Sequence, residues 1–440
     1  MEPIIRDPVP IGSGVEYTEI VDPRYRLNML KIDFYFPFTA ENALSGLLLA
    51  DILTYSHPVL NTERKLARWK KENYDARFET SVASEGDLLT LTLSAGWLDD
   101  AFALDGENIT QNLLEWLGTL LFSPAVSEKG FFTPEFENLR ADYADYLEYM
   151  QREPANQIIE QINAVCYRGE PCAVPLNGLP EDAEALTPQT LYALWQTILE
   201  TAPIRIYATI PAENPSVCEW AQQTFGQLTR SALPLNIESP SPAKPEPETV
   251  QMQFDDRTET EILLVYKYQD AVLHDIAAVC DLLDCTTESL LFANIREKHS
   301  LCYECYAELE WEKHAVTLVC KTDAAHIGEV TALLEEQIRL LQTGSFSDRL
   351  ISVTDDAVRK ERCAEWDRFS GIANTVRMRR LTGLPVKKDF DAFVRLQKIT
   401  RENIIAAANA LVLDTVFIAE GTAQPSAGRL PEEGKEDADA

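Results

Sequence analysis

Four cysteines near the middle of the chain, Cys280, Cys285, Cys302 and Cys305, have spacings that imitate a four-thiolate zinc site. The last two fall in a stretch that reads as a strand, where positions three apart point to opposite faces, so a shared ion would need a local knuckle. The plainer reading is a set of small, buried, reduced thiols. The same stretch, LLFANIREKHSLCYECYAE at residues 290–308, places Arg296 and Tyr303 seven apart, where an amphipathic helix gives way to that strand. Taken singly, each side chain needs no role beyond a solvated helix end and a half-buried strand. Histidine chemistry has little to work with. The five histidines are His57, His274, His299, His314 and His326, and no two stand four apart, the spacing that puts two imidazoles on one helical face.

Composition narrows the classes of partner. With 71 acidic against 39 basic residues the net charge is −32, which repels polyanions, so nucleic acid and anionic membrane are excluded as partners. No apolar run reaches the length of a membrane span, and the opening MEPIIRDPVPIGSGVEY lacks the basic start and apolar core of a signal peptide. Nine cysteines, an odd number, fit reduced thiols better than a disulfide framework, and a cytoplasmic location is expected.

The elements that must position these residues are written twice. In the first copy a strand LKIDFYF is followed by the apolar helix LSGLLLADILTY at 44–55 and a polar helix near Glu63 to Lys71. Then come a hairpin turning at SEGD, three long helices, a helix capped by Thr187 with Pro188 at its first position, and the strand IRIYATI. The second copy repeats that order from EILLVYKY to TVFIAEG. Leu30 to Ile262 is an offset of 232 and Thr187 to Thr400 one of 213, so the copies stay in register apart from modest deletions. The expected fold class is α+β, two tandem homologous domains, each a mostly antiparallel sheet covered by helices. The boundaries drawn from sequence are 1–235 for the first domain, 236–250 for a proline-rich linker, 251–421 for the second domain and 422–440 for a disordered acidic tail. The linker carries prolines at 240, 242, 245 and 247 with Lys244 as its one basic residue, and reads as a semi-rigid strap rather than a packed element.

A duplicated domain of this order, with LLFANIREKHSLCY in its second copy, resembles the insulinase/pitrilysin family of zinc peptidases (inverzincins) over about residues 20–421. The resemblance implies a fold like that of the mitochondrial processing peptidase. It also implies that Arg296 and Tyr303 hold the backbone of a substrate near the scissile bond. Where the family keeps Gly or Ala before the Tyr, this chain has Cys302.

Active relatives carry His-x-x-Glu-His on the first helix of the first domain, and here Leu47, Ala50 and Asp51 stand at the first His, the Glu and the second His. Glu135 and Glu137 are available where the family places a third ligand, but they have nothing to cooperate with. His57, six residues from Asp51 and followed by Pro58, reads as a loop histidine. No metal, no cofactor and no catalytic residue are therefore expected in this chain. The resemblance implies a non-catalytic subunit that pairs with a zinc-bearing homologous subunit and helps bind a peptide or protein substrate. The alternative is a scaffold or binding protein of the same fold with no peptidase partner. A third possibility, an independently active hydrolase, has no nucleophile or metal motif behind it. Chains of this kind are also linked to modification of elongation factor P, an association of the subfamily that no residue here displays.

Overall fold

The computed structural model describes residues 2–178, 180–395 and 399–423. The expected tail, 422–440, lies outside the described residues from 424 onward. By compactness the chain divides into two units, residues 1–241 with 311–314 and 351–399, and residues 242–310 with 315–350 and 400–440.

The first unit is built on a seven-stranded sheet of β1 (Ile4–Ile5), β2 (Val9–Gly12), β3 (Val15–Val21), β4 (Leu27–Pro37), β5 (Arg77–Glu85), β6 (Leu88–Leu98) and β7 (Ile204–Ile210). The order is β1-β3-β7-β4-β6-β5, with β2 on β3. The β3–β7 pair is parallel, and the β4–β7, β4–β6 and β5–β6 pairs are antiparallel. The second unit has a five-stranded sheet of β8 (Glu248–Phe254), β9 (Thr260–Lys267), β10 (Glu304–Glu310), β11 (Ala315–Thr322) and β12 (Val412–Gly421), in the order β8-β12-β9-β11-β10. Its one parallel pair is β8–β12. Both sheets therefore thread the last strand of the copy between two consecutive earlier strands, β7 between β3 and β4 and β12 between β8 and β9, and leave the outer strand of the hairpin, β5 or β10, at an edge. The duplication read from sequence is present in topology as well as in order.

Helix caps follow the chemistry of their residues. Thr187 accepts from the Thr190 N–H at the start of Pro188–Thr201, and Thr400 does the same with Asn403 at the start of Arg401–Ala410, each closing a capping box. Two elements differ from expectation. The linker is not a free strap: Ile237 and Ser241 are buried, and the main-chain oxygen of Ile237 passes 2.5 Å from where a Cβ on Gly86 would sit. Gly86, at the SEGD turn with φ of 59°, is required there on both counts. Lys244 is held in the second unit, donating its N–H to Asp414 Oδ1 at 2.9 Å and its ammonium to Thr415 Oγ1 at 2.7 Å.

The second difference concerns residues 351–399, which the sequence boundary assigned to the second domain and which pack as part of the first unit. Trp366, Ile372, Ala373, Val376, Phe393 and Val394 close over Ile5, Ile20 and Tyr207 in one buried cluster. Beside it, the Arg377 guanidinium donates from Nε to Asp33 Oδ2 at 2.6 Å and also pairs with Glu85, while Thr92 donates to Asp33 Oδ1 at 2.7 Å. Burial works against the charge on Arg377, but Asp33, Tyr35 and Glu85 outweigh it and hold the group protonated.

Candidate functional site

The first half of the site predicted from sequence lies on α1 (Ala40–Tyr55), which Thr39 caps by accepting from the Asn42 N–H. Nine of its sixteen residues are buried, Leu48, Leu49, Ile52 and Leu53 completely, because the helix is apolar on most of its surface. Leu47 is half-buried, Ala50 is buried, and only Asp51, on the exposed side, offers a donor atom. Protein crowds Asp51 enough that desolvation holds its carboxyl above the usual range. Burial and the carboxylates of Glu63, Asp51 and Glu135 likewise push Tyr55 upward. His57 turns its Nδ1 to its own loop, accepting from the N–H groups of Val59 and Leu60, both at 3.0 Å. A catalytic zinc takes three protein ligands and a base-activated water. One carboxylate beside Leu47 and Ala50 does not fit that ion.

The second half lies in the second unit. Residues Leu291–Glu297 wind more widely than an α-helix, with the Lys298 N–H donating to the Ala293 carbonyl five residues back at 3.2 Å. Leu291 and Ile295 bury one side of this turn, and Asn294 donates to the buried Gln337 at 2.6 Å, fixing it to the helix Ile327–Thr343. Arg296 is thereby turned outward. Its guanidinium lies 5.0 Å from the centre of the Phe292 ring, and among the described residues no carboxylate pairs with it.

The chain then leaves the helix through Ser300, in the left-handed region at φ 54°, bends at Tyr303 and enters β10 at Glu304. Tyr303 is 57% exposed, with its N–H donating to the Lys321 carbonyl at 2.9 Å and its hydroxyl to Asp323 Oδ1 at 3.2 Å. That bond to a carboxylate raises the pKa of the phenol. β10 is an edge strand, paired in the sheet on one side only, and its Ala307 N–H donates to Asp284 of the helix Leu273–Asp284 at 3.4 Å.

The bend corrects one reading of the sequence. Cys302 lies before the strand rather than in it, so Cys302 and Cys305 do not point apart: their sulfurs and that of Cys320 all lie within 4.8 Å of one another. Cys280 and Cys285, at the end of the helix Leu273–Asp284, are not part of this group. Cys320 was missed because it lies on the returning strand. The signal was present all the same, since Cys305 and Cys320 are equidistant from the turn at 311–314 and sit directly opposite in the register of β10 and β11. Within the trio Cys302 ionises most readily, its sulfur accepting from Cys305 and Cys320 with Arg296 nearby, while the same bonds hold Cys305 and Cys320 up.

Residues 185–353 match the family described as Peptidase M16 inactive domain. Over 401 residues the chain is 21% identical to the probable inactive metalloprotease YmfF of Bacillus subtilis (strain 168), covering 88% of this chain and 91% of that one. Over most of its length the chain is thus similar to an inactive M16 metallopeptidase. Among solved structures, a conserved protein from Enterococcus faecalis V583 superposes with a TM-score of 0.85 at 18% identity, covering 95% of this chain and 99% of that one. The periplasmic protease PqqL from Escherichia coli superposes with a TM-score of 0.67 at 14% identity, over 96% of this chain but only 47% of that one. The α+β duplicated fold is thus that of M16-like peptidases. No helix among the described residues is long and apolar enough to cross a membrane. A trough of about 530 Å³ in the first unit, lined by Leu27, Met29, Arg77, Glu79, Trp97 and Phe369 among others, contains none of the residues singled out from sequence. Its shape carries less weight than the chemistry of the two regions above.

Proposed function

We propose that this chain grips an extended peptide or protein segment beside β10, with Arg296 and Tyr303 as the contacting side chains, as the non-zinc member of an assembly whose zinc-bearing homologue performs cleavage. The observation that carries it is Arg296. An exposed guanidinium with no carboxylate partner, held by a fixed turn at the start of an edge strand, is poised to donate to the carbonyls of a strand-like ligand. The need for a second chain is supported by the length of PqqL, of which this chain matches about half, and by α1, whose donor set cannot supply the metal. A reducing, cytoplasmic setting fits nine cysteines that stand outside any disulfide.

One observation favours the scaffold reading, in which this surface serves assembly alone: Tyr303 already donates its proton to Asp323. The deciding experiment is co-purification with a homologue bearing His-x-x-Glu-His, and then kinetics of the reconstituted pair. Tyr303→Phe should lower turnover at least ten-fold, on the order of 1.4 kcal/mol or more in transition-state binding, with assembly intact. Arg296→Lys should mainly raise KM, since a guanidinium fork holds carbonyls in ground and transition states alike. Full activity of an assembled pair carrying both substitutions would leave the scaffold reading as the better one.

A further inference from the structure

Two groups of donor atoms converge closely enough to hold an ion, and they differ in what already neutralises them. Asp87, Glu170 and Cys172 meet in the first unit, but the buried Lys313 ammonium occupies that place, donating to Asp87 at 3.2 Å, Glu170 at 2.5 Å and Ser239 at 3.0 Å. Among the described residues no ammonium sits between Cys302, Cys305 and Cys320 in this way; the exposed Arg296 acts on Cys302.

We propose that Cys302, Cys305 and Cys320 form a three-thiolate site for a thiophilic d10 cation, Zn2+ or Cu+. Sulfurs bound to zinc at about 2.3 Å in tetrahedral geometry stand about 3.8 Å apart. The three here are within 4.8 Å, so closing on an ion asks for rotamer adjustments of about 1 Å.

The backbone already fixes most of the geometry. Cys305 and Cys320 face each other across two paired strands. Cys302 is carried to the same place by the bend at Tyr303, and the Thr322 hydroxyl ties that bend to β11 by donating to the Leu301 carbonyl. Three soft donors select Zn2+ or Cu+ over Mg2+ and Ca2+. Cys320 is fully buried and Cys302 half-exposed, so the ion would sit under the surface with one side open, three-coordinate for Cu+ or completed by a water for Zn2+. Each thiol gives its proton to solvent as its metal–sulfur bond forms. Arg296 offsets the surplus negative charge of three thiolates around either ion. The site goes beyond the peptide-gripping reading and does not depend on it, because its readout is metal bound to the chain alone.

The test is titration of the full chain, reduced with a phosphine, against Zn2+ and separately Cu+, each in competition with a chromophoric chelator, with Co2+ as a spectroscopic stand-in. One equivalent per chain is expected, with thiolate-to-cobalt charge-transfer absorption. Cys302→Ser and Cys305→Ser should each weaken binding by more than the roughly 10–100-fold that loss of an outer-sphere partner costs, while Cys285→Ser leaves it unchanged. Metal analysis of the chain as isolated, without added ions, identifies the occupant. Cys302→Ser replaces a half-exposed side chain, and circular dichroism of the variant separates lost ligation from lost folding. Failure of both ions to bind the reduced chain overturns the proposal. So does binding that survives Cys302→Ser and Cys305→Ser, or a Cys305–Cys320 disulfide in protein isolated without oxidant.

Discussion

The two copies share a strand order and differ in the fate of the helical segments that pack beside their sheets. In the first, α1 is part of the core: Leu48, Leu49, Ile52 and Leu53 are fully buried, and beside them stand Leu47, Ala50 and Asp51, of which only Asp51 offers a donor atom. In the second, the turn at 291–297 and the bend at 303 keep Arg296 and Tyr303 in solvent on a rigid mount. A helix that loses its polar donors gains stability by burying what replaces them. A surface that keeps an unpaired guanidinium beside an open strand edge gains nothing in folding from it, which is why the second region, rather than the first, carries a functional argument.

The sharpest way to break this contrast is to unsettle the first unit and ask whether the second notices. Arg377→Ala leaves Asp33 and Glu85 without their cation, and removing one member of a buried pair costs about 3–5 kcal/mol. Thermal melts should show that loss, with metal uptake at Cys302, Cys305 and Cys320 retained below the melt. Next in size is a carboxylate placed in the buried face of α1. Ala50→Glu forces a carboxylate into a site 4% exposed, and overpacking alone should cost about 1–3 kcal/mol; chemical denaturation checks it, and a neutral effect would mean that α1 is looser than its burial indicates.

Tyr303→Phe sharpens the contrast from the other side. An exposed hydroxyl bonded to Asp323 should contribute little to folding, so a melt like that of the parent, together with slower turnover in the assembled pair, is the expected combination.

The smallest effect is Asp51→Asn. Desolvation raises the folded pKa of Asp51 above its unfolded value, so the ionised form destabilises the fold, and that penalty is absent below the unfolded value of 3.8 and grows as pH rises through the folded one. The substitution should therefore raise the melting temperature slightly at pH 7 and not at pH 3. Solvent screening at this exposed position keeps the gain small. Asp414 has the opposite sign. Although burial opposes its charge, the Lys244 N–H, Thr415 and the ammonium groups of Lys267 and Lys244 depress its pKa, so its contribution is complete above 3.8 and is lost as pH falls through the folded value.

Much of this was legible in the residues. Period-two alternation marked the strands, Thr187 and Thr400 marked two helix starts, and the repeated order gave the duplication, because each rests on local chemistry. The boundary of the second domain was not legible: Arg377 meets Asp33 across 344 positions, and no local pattern signals that residues 351–399 have their apolar partners at Ile5, Ile20 and Tyr207. Lys244 read as part of an unpacked strap because proline-rich composition describes backbone preference and says nothing of Asp414, 170 positions away. At the site, Arg296 and Tyr303 stood out through resemblance. The thiol cluster was hidden by treating 302 as part of a regular strand, when a single bend reverses which face it shares.

The borrowing of residues 351–399 by the first unit also sets a timetable for synthesis. A ribosome that has released only the first 241 residues has produced a seven-stranded sheet whose Ile5, Ile20 and Tyr207 face still lacks the cover supplied by Trp366, Ile372 and Phe393. That apolar surface remains wet until roughly 150 further residues have emerged, at synthesis rates of about 5–20 residues per second an interval of many seconds. During it the nascent chain is a natural client for a holdase, and a gene cut at the proline-rich segment yields a sticky fragment rather than a free-standing half.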